Sequence, residues 1–190
     1  MILAGGKSRR MGRDKLLLEV GGVPLLNRVH DILARRCAEV ILVGGGPARL
    51  EGVRQVQDER TGGLGPLAGI EAGLAAAENQ LVFVAAADLP FLPAELVGFA
   101  LERLEERGAL AVVPRHGTTA HPLCAAYDGR ILPRVRSALD GGVRSVRQFL
   151  DSLNRVDYVE RELQRFGDPY LYLMNVNSPD DLDRARAGVP

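Results

Sequence analysis

At 190 residues and 20.5 kDa, the chain fits one domain, 1–190, built on a single core. Its 24 basic residues cancel its 24 acidic ones, so charge supports neither nucleic-acid binding nor a membrane-surface role. The longest apolar run, Leu81 to Ala87, is far too short to span a bilayer. Cys37 and Cys124 share no motif spacing and read as reduced, buried thiols. Arg9 and Arg10 arrive before any apolar stretch of a secretory signal. The expected location is the cytoplasm.

In chain order, Ile2-Leu3-Ala4 reads as a clipped first strand, followed by a loop rich in Gly and Arg. Apolar residues at Leu25, Leu26, Val29, Ile32 and Leu33 give helical spacing over Pro24 to Arg36. Val40 to Gly46 is a buried strand ending in glycines, and Val53 to Gln57 a short one. Pro66 to Ala77 reads as a helix, and "LVFVAAADLP" as an apolar strand that stops at Asp88. Then come a helix over Pro93 to Arg107 and strands over Leu110 to Pro114 and His121 to Tyr127. Helices fit Gly129 to Leu139 and Val143 to Leu153; strands fit Val156 to Val159 and Tyr170 to Val176. A last helix begins after Ser178-Pro179, with Ser178 as N-cap and acids in its first turn.

Near-continuous apolar strands alternating with helices predict a three-layer α/β/α sandwich with a Rossmann-like, mostly parallel sheet. The less regular second half points to some antiparallel pairing there. In such a sheet ligands bind beyond the carboxyl ends of the strands, so the polar residues just after strands are the candidates for chemistry.

The opening "GGKS" ends like a phosphate-binding P-loop, G-x-x-x-x-G-K-[ST], but the first glycine of that pattern falls on Met1. It is therefore not a Walker-type loop. Gly5 and Gly6 nevertheless follow a strand, where the backbone turns sharply and presents N–H groups. Lys7, Arg9, Arg10, Arg13 and Lys15 follow against a single acid, Asp14. These include both lysines of a chain with 22 arginines. A compact ammonium suits a phosphate oxygen, and the concentration of charge reads as a polyphosphate cradle. Asp88 ends an apolar strand, where a carboxylate is costly without a ligand; a turn aspartate before Pro90 is the bland alternative. "VGGGPAR" lacks the third glycine of a dinucleotide fingerprint, which leaves a dinucleotide oxidoreductase poorly supported.

"LAGGKSRRMGRDK" resembles the nucleotidyltransferase signature L-A-[GA]-G-x-[SG]-x-R-M-G-x-x-K. With "DERTGGLGPLAGIEAGL", "ADLPFL", "HPL" and "NVNSPDDL", nearly the whole chain is similar to the molybdenum cofactor guanylyltransferases within that family. The resemblance implies the fold of nucleotide-diphospho-sugar transferases. It also implies transfer of GMP from GTP to the terminal phosphate of molybdopterin, with release of pyrophosphate and a requirement for Mg²⁺. By motif position the backbone of Leu3, Ala4 and Gly5 holds guanine, and the loop from Gly6 wraps the phosphates. Lys15 meets the phosphates where charge builds, Arg10 the departing pyrophosphate, Asp58 the nucleotide, and Asp88 the metal. Asn175 and Asn177, alternating on a strand end, face the pterin from one side. His121 is given no proton-transfer role. Proteins that deliver or accept the cofactor are implied as partners.

Two departures accompany the likeness. The family's first strand carries several more residues before L-A-G-G, so the first strand is expected to be short here. A family asparagine that contacts guanine aligns with Val43, leaving Gly44 and Gly45 to offer backbone contacts. A cytidylyltransferase on the same pterin or a sugar-phosphate nucleotidyltransferase would keep the fold and change substrates; Gly5-Gly6 in place of A-G favours guanine. A non-catalytic GTP- or cofactor-binding module is the alternative of another class, and loss of Lys15 or Asp88 would mark it; both are present.

Overall fold

The computed structural model describes residues 1–5, 18–46, 48–58, 60 and 64–187. Strands β1 (Ile2–Ala4), β4 (Ile41–Gly44), β5 (Arg54–Val56) and β6 (Leu81–Ala86) run parallel. β9 (Cys124–Asp128) runs against both β6 and β7 (Ala111–His116), and β10 (Val156–Val159) runs with β7. The sheet order is β10-β7-β9-β6-β1-β4-β5, with the short β8 (Thr119–Ala120) pairing with β7. The expected parallel sheet with antiparallel pairing in the second half is what forms.

Strand residues alternate between the two faces, as a period of two requires. Ile2, Leu42, Phe83, Ala85, Val112 and Ala126 pack under helices α1 (Leu25–Ala34) and α3 (Ala94–Arg107). Leu3, Val43, Val82, Val84, Val113 and Tyr127 pack under α2 (Pro66–Ala76), α4 (Leu132–Asp140) and α5 (Val146–Asp151) on the other face. These are the three layers. Among the described residues no helix is long and apolar enough to cross a membrane. Cys37 is half-buried and Cys124 buried, both as free thiols, and burial pushes the Cys124 thiol up to about 12.

A third, smaller cluster joins Val20, Leu25, Val176 and Leu182. It fastens a two-stranded hairpin, β2 (Glu19–Val20) with β3 (Val23–Pro24), to the segment before α7 (Pro179–Ala187). Chain emerging from the opening loop therefore lies beside "NVNSP", although the two are far apart in sequence.

Three boundaries differ from expectation. Tyr170 to Val176 is not a strand: a short helix, α6 (Pro169–Tyr172), forms there, and residues 173–177 run on without regular structure. Asp168 accepts from Tyr170 N at 3.0 Å, Pro169 opens the helix, and the Tyr172 hydroxyl donates to Leu163 O at 2.9 Å. Capping chemistry outweighs the aromatic and β-branched pattern. The strand expected from His121 starts at Cys124 instead. From Arg115 paired with Ala120 to Val112 paired with Ala126, the return strand spends three extra residues; His121 N still donates to Pro114 O in the first register, and the excess follows it as a bulge closed by Cys124 N on His121 O. The helix expected from Val143 starts later, because Ser145 accepts from Gln148 N at 3.3 Å and caps it.

Candidate functional site

The carboxyl ends of β1, β4, β5 and β6 lie side by side, and predicted site residues gather there. The Leu3 carbonyl accepts from Ala87 N at 3.1 Å, and the Ala4 carbonyl from Gly45 N at 3.1 Å. Those two oxygens hold the sheet together, whereas Gly5 projects beyond it and is exposed. A Cβ at Gly44 would stand 3.3 Å from Gly5 N, and Gly44 has φ +78°. Only glycine allows both that close approach and that backbone conformation. Gly6, Arg10 and Lys15, on which the phosphate cradle was predicted, lie outside the described residues.

Asp88 follows β6, two residues beyond its last strand position, and is half-buried. Asn175 Nδ2 donates to Asp88 Oδ1 at 2.6 Å, and Val176 N donates to Asp88 O at 3.0 Å. The segment expected to be a strand is instead draped over the end of β6 by these two bonds. Asn175 and Asn177 consequently do not share one strand face. Asn175 turns to Asp88, while Asn177 is exposed and its main-chain N–H donates to Asp181 Oδ2 at 3.0 Å. Ser178 acts as the predicted cap, its hydroxyl accepting from Asp181 N at 3.1 Å. The Ser178 hydroxyl and the Asn177 amide hold the Asp181 carboxyl below the usual carboxylate range.

Asp58 sits past β5, half-buried, and its Oδ1 accepts from Arg60 N at 2.9 Å, an Asx turn that orients the carboxylate. Arg60 in turn grips Glu71 of α2 through Nε and Nη2 and Asp140 of α4 through Nη1 at 2.8 Å. Arg136 adds a second cation 3.4 Å from Glu71. Gly65, at φ +78°, passes the Arg144 carbonyl just before α2 begins. The β5–α2 loop is thereby clamped to two helices.

His121 is half-buried in the bulge, and its imidazole is pushed below its ordinary value by burial, then by His116. Its neighbour Leu123 offers its carbonyl to Ala86 N at 2.7 Å, so "HPL" buttresses β6 just before Asp88. Val43 is buried beneath α2 and presents no polar group. Sequence reasoning missed Gln55 and Gln57, whose amide nitrogens both point at the Gly44 carbonyl; the polar alternation of "RQVQ" was their only signal. It also missed Arg60, which a lone arginine after an aspartate does not announce.

Among the described residues no three His, Cys, Asp or Glu side chains form a metal cluster. A single carboxylate completed by ligand oxygens and water is a coordination habit of Mg²⁺, and Asp88 fits it. Two shallow cavities lie at the opposite, amino-terminal end of the sheet and include none of the predicted site residues.

The family model of the MobA-like NTP transferase domain matches residues 1–156. A relative from Pelotomaculum thermopropionicum, named "probable molybdenum cofactor guanylyltransferase", is 42% identical over 98% of this chain and 90% of its own length. The molybdenum cofactor guanylyltransferase of Syntrophotalea carbinolica is 31% identical over 100% of this chain and 91% of its own. The crystal structure of molybdopterin-guanine dinucleotide biosynthesis protein A from Archaeoglobus fulgidus superposes with a TM-score of 0.84 at 28% identity, covering 98% of this chain and 95% of the other. The 2-C-methyl-D-erythritol 4-phosphate cytidylyltransferase from Thermus thermophilus shares the fold, with a TM-score of 0.72 at 21% identity, covering 98% of this chain and 96% of the other.

Proposed function

This chain belongs to the MobA-like NTP transferase family, and we propose that it transfers GMP from GTP to the terminal phosphate of molybdopterin, making molybdopterin guanine dinucleotide. An oxygen of the acceptor phosphate forms a bond to the α-phosphorus of GTP. The bond from that phosphorus to the oxygen bridging to the β-phosphate breaks, and pyrophosphate leaves. The attacking oxygen is already anionic, so the protein has no proton to remove. Its task is to align the two phosphates in line and to offset their charge.

The observation that carries this reading is the meeting of Gly5, Asp88 and Asn175 at one end of the sheet of a family member. Gly5 offers backbone to the nucleotide, with Leu3 and Ala4 holding it in place. Asp88 would hold Mg²⁺, which when bound neutralises phosphate charge, and Asn175 keeps that carboxylate oriented. Asp58 contacts the nucleotide from its clamped loop, Lys15 and Arg10 serve the phosphates and the leaving pyrophosphate, and Asn175 with Asn177 borders the pterin. The reaction belongs in the cytoplasm.

Asp88→Ala tests the assignment. It abolishes pyrophosphate release from GTP and molybdopterin while the thermal unfolding midpoint is retained; near-native turnover removes the metal role. Lys15→Arg probes the cradle: turnover falls if a compact ammonium is required and is unchanged if any cation serves.

A further inference from the structure

Gln55 lies in β5 opposite Leu42, and its side chain reaches the turn that follows β4. Its Nε2 donates to the Gly44 carbonyl, and Gln57 Nε2 lies 3.4 Å from the same oxygen. A carbonyl only accepts, so the amide of Gln55 has one allowed orientation, with Oε1 turned away from Gly44. That Oε1 is sealed from solvent and has no hydrogen-bond partner; among the described residues no other buried side-chain nitrogen or oxygen is in that state. An unmatched buried acceptor is destabilising, a cost that an apolar side chain of similar shape would avoid.

The acceptor's position gives it a use. Gly45, in the turn that Gln55 braces, donates to Ala4 O. A Cβ at Gly45 would stand 3.4 Å from Gln55 Nε2 and 3.5 Å from the Ala4 Cβ. Gly44 in turn lies against Gly5. Gln55, through its amide nitrogen, thus belongs to the small group of residues that shapes the backbone at Gly5.

We propose that Gln55 is a specificity-determining residue for the base, its Oε1 accepting a hydrogen from the exocyclic 2-amino group of guanine. The inference rests on the reading that GTP is the nucleotide and that its base lies against Gly5. A base entering there opens the cover over Oε1 and supplies the donor it lacks. Adenine and hypoxanthine carry only a C–H at position 2 and leave the acceptor unmatched. Because Gly44 fixes the amide, Gln55 cannot turn over to serve a base with the opposite pattern. Sites that hold a buried partner for a substrate N–H discriminate strongly against analogues that lack it. Gln55 also supplies a polar group in a region where Val43 supplies none.

The test compares GTP with inosine triphosphate, which lacks only the 2-amino group. Dissociation constants for both are measured calorimetrically with Mg²⁺ on the native chain, on Gln55→Met, which keeps the side-chain volume, and on Gln55→Leu as a second variant. The native chain prefers GTP by about tenfold or more. Both variants bring the two affinities together by weakening GTP alone, with inosine triphosphate unchanged. Equal weakening of both nucleotides overturns the inference and makes Gln55 a brace for the Gly44 turn. Equal affinities in the native chain overturn it too, while leaving GTP as substrate. Absence of GTP binding by the native chain overturns the function reading itself, and that result is visible before any variant is made.

Discussion

Asn175 donates its amide hydrogen to Asp88 at 2.6 Å across 87 residues of sequence. A carboxylate that holds a metal beside phosphates must present its oxygens in a fixed direction, and outer-shell partners commonly set that direction. Asn175→Ala is expected to lower turnover about 10–100-fold and to raise the Mg²⁺ concentration needed for half-maximal rate. The Val176–Asp88 main-chain bond still pins the segment, so the unfolding midpoint changes little. Native turnover and Mg²⁺ dependence in the variant would show that the bond is only structural.

Gly44 and Gly46 provide a matched pair of probes. Both have positive φ, +78° and +52°, but a Cβ at Gly44 meets Gly5 N at 3.3 Å, whereas one at Gly46 meets nothing within 4 Å. Alanine at either position costs about 1–2 kcal/mol from left-handed backbone strain. Only Gly44→Ala should also weaken nucleotide binding, because only it pushes on the backbone at Gly5. Chemical denaturation and calorimetry together decide this; equal nucleotide affinity in the two variants would remove Gly5 from the binding surface.

The Arg60–Glu71 grip makes part of the stability depend on acid. Arg60, bonded to it, holds the Glu71 carboxyl below its ordinary value of 4.5, with Arg136 adding to the effect. A depressed folded value means that the unfolded chain binds the proton more readily. The contribution is therefore present above pH 4.5 and lost as pH falls through the folded value. Glu71→Gln should be less stable than the native chain at neutral pH and should lose less stability on acidification. Urea unfolding between about pH 3 and pH 7 measures both; parallel stability curves for the two chains would contradict the assignment.

How much of this was legible beforehand depends on the range of the signal. The sheet could be read because β4, β6 and β7 carry apolar runs long enough to show burial on both faces, as at Val82 to Ala86. Asp88 could be read because a carboxylate ending such a run is conspicuous. The path of residues 170–177 could not, because Tyr170, Leu171 and Tyr172 look strand-like and the deciding contacts come from Asp168, Leu163 and Asp88. Gln55 was passed over for a related reason. In sequence it is one polar residue in a short edge strand, and only the fold shows that its amide nitrogen is fixed by Gly44 and its oxygen left unmatched. The bulge at "HPL" depends on a register shift between β7, β8 and β9, which local pattern does not encode.

The most direct test of the central claim is a titration of the purified chain with GTP, CTP, UTP and ATP in the presence of Mg²⁺, followed by heat release. The account predicts binding with a clear preference for GTP. A preference for CTP would keep the fold and the phosphate chemistry but contradict the guanylyltransferase assignment, and binding of none of the four would contradict nucleotidyl transfer by this chain.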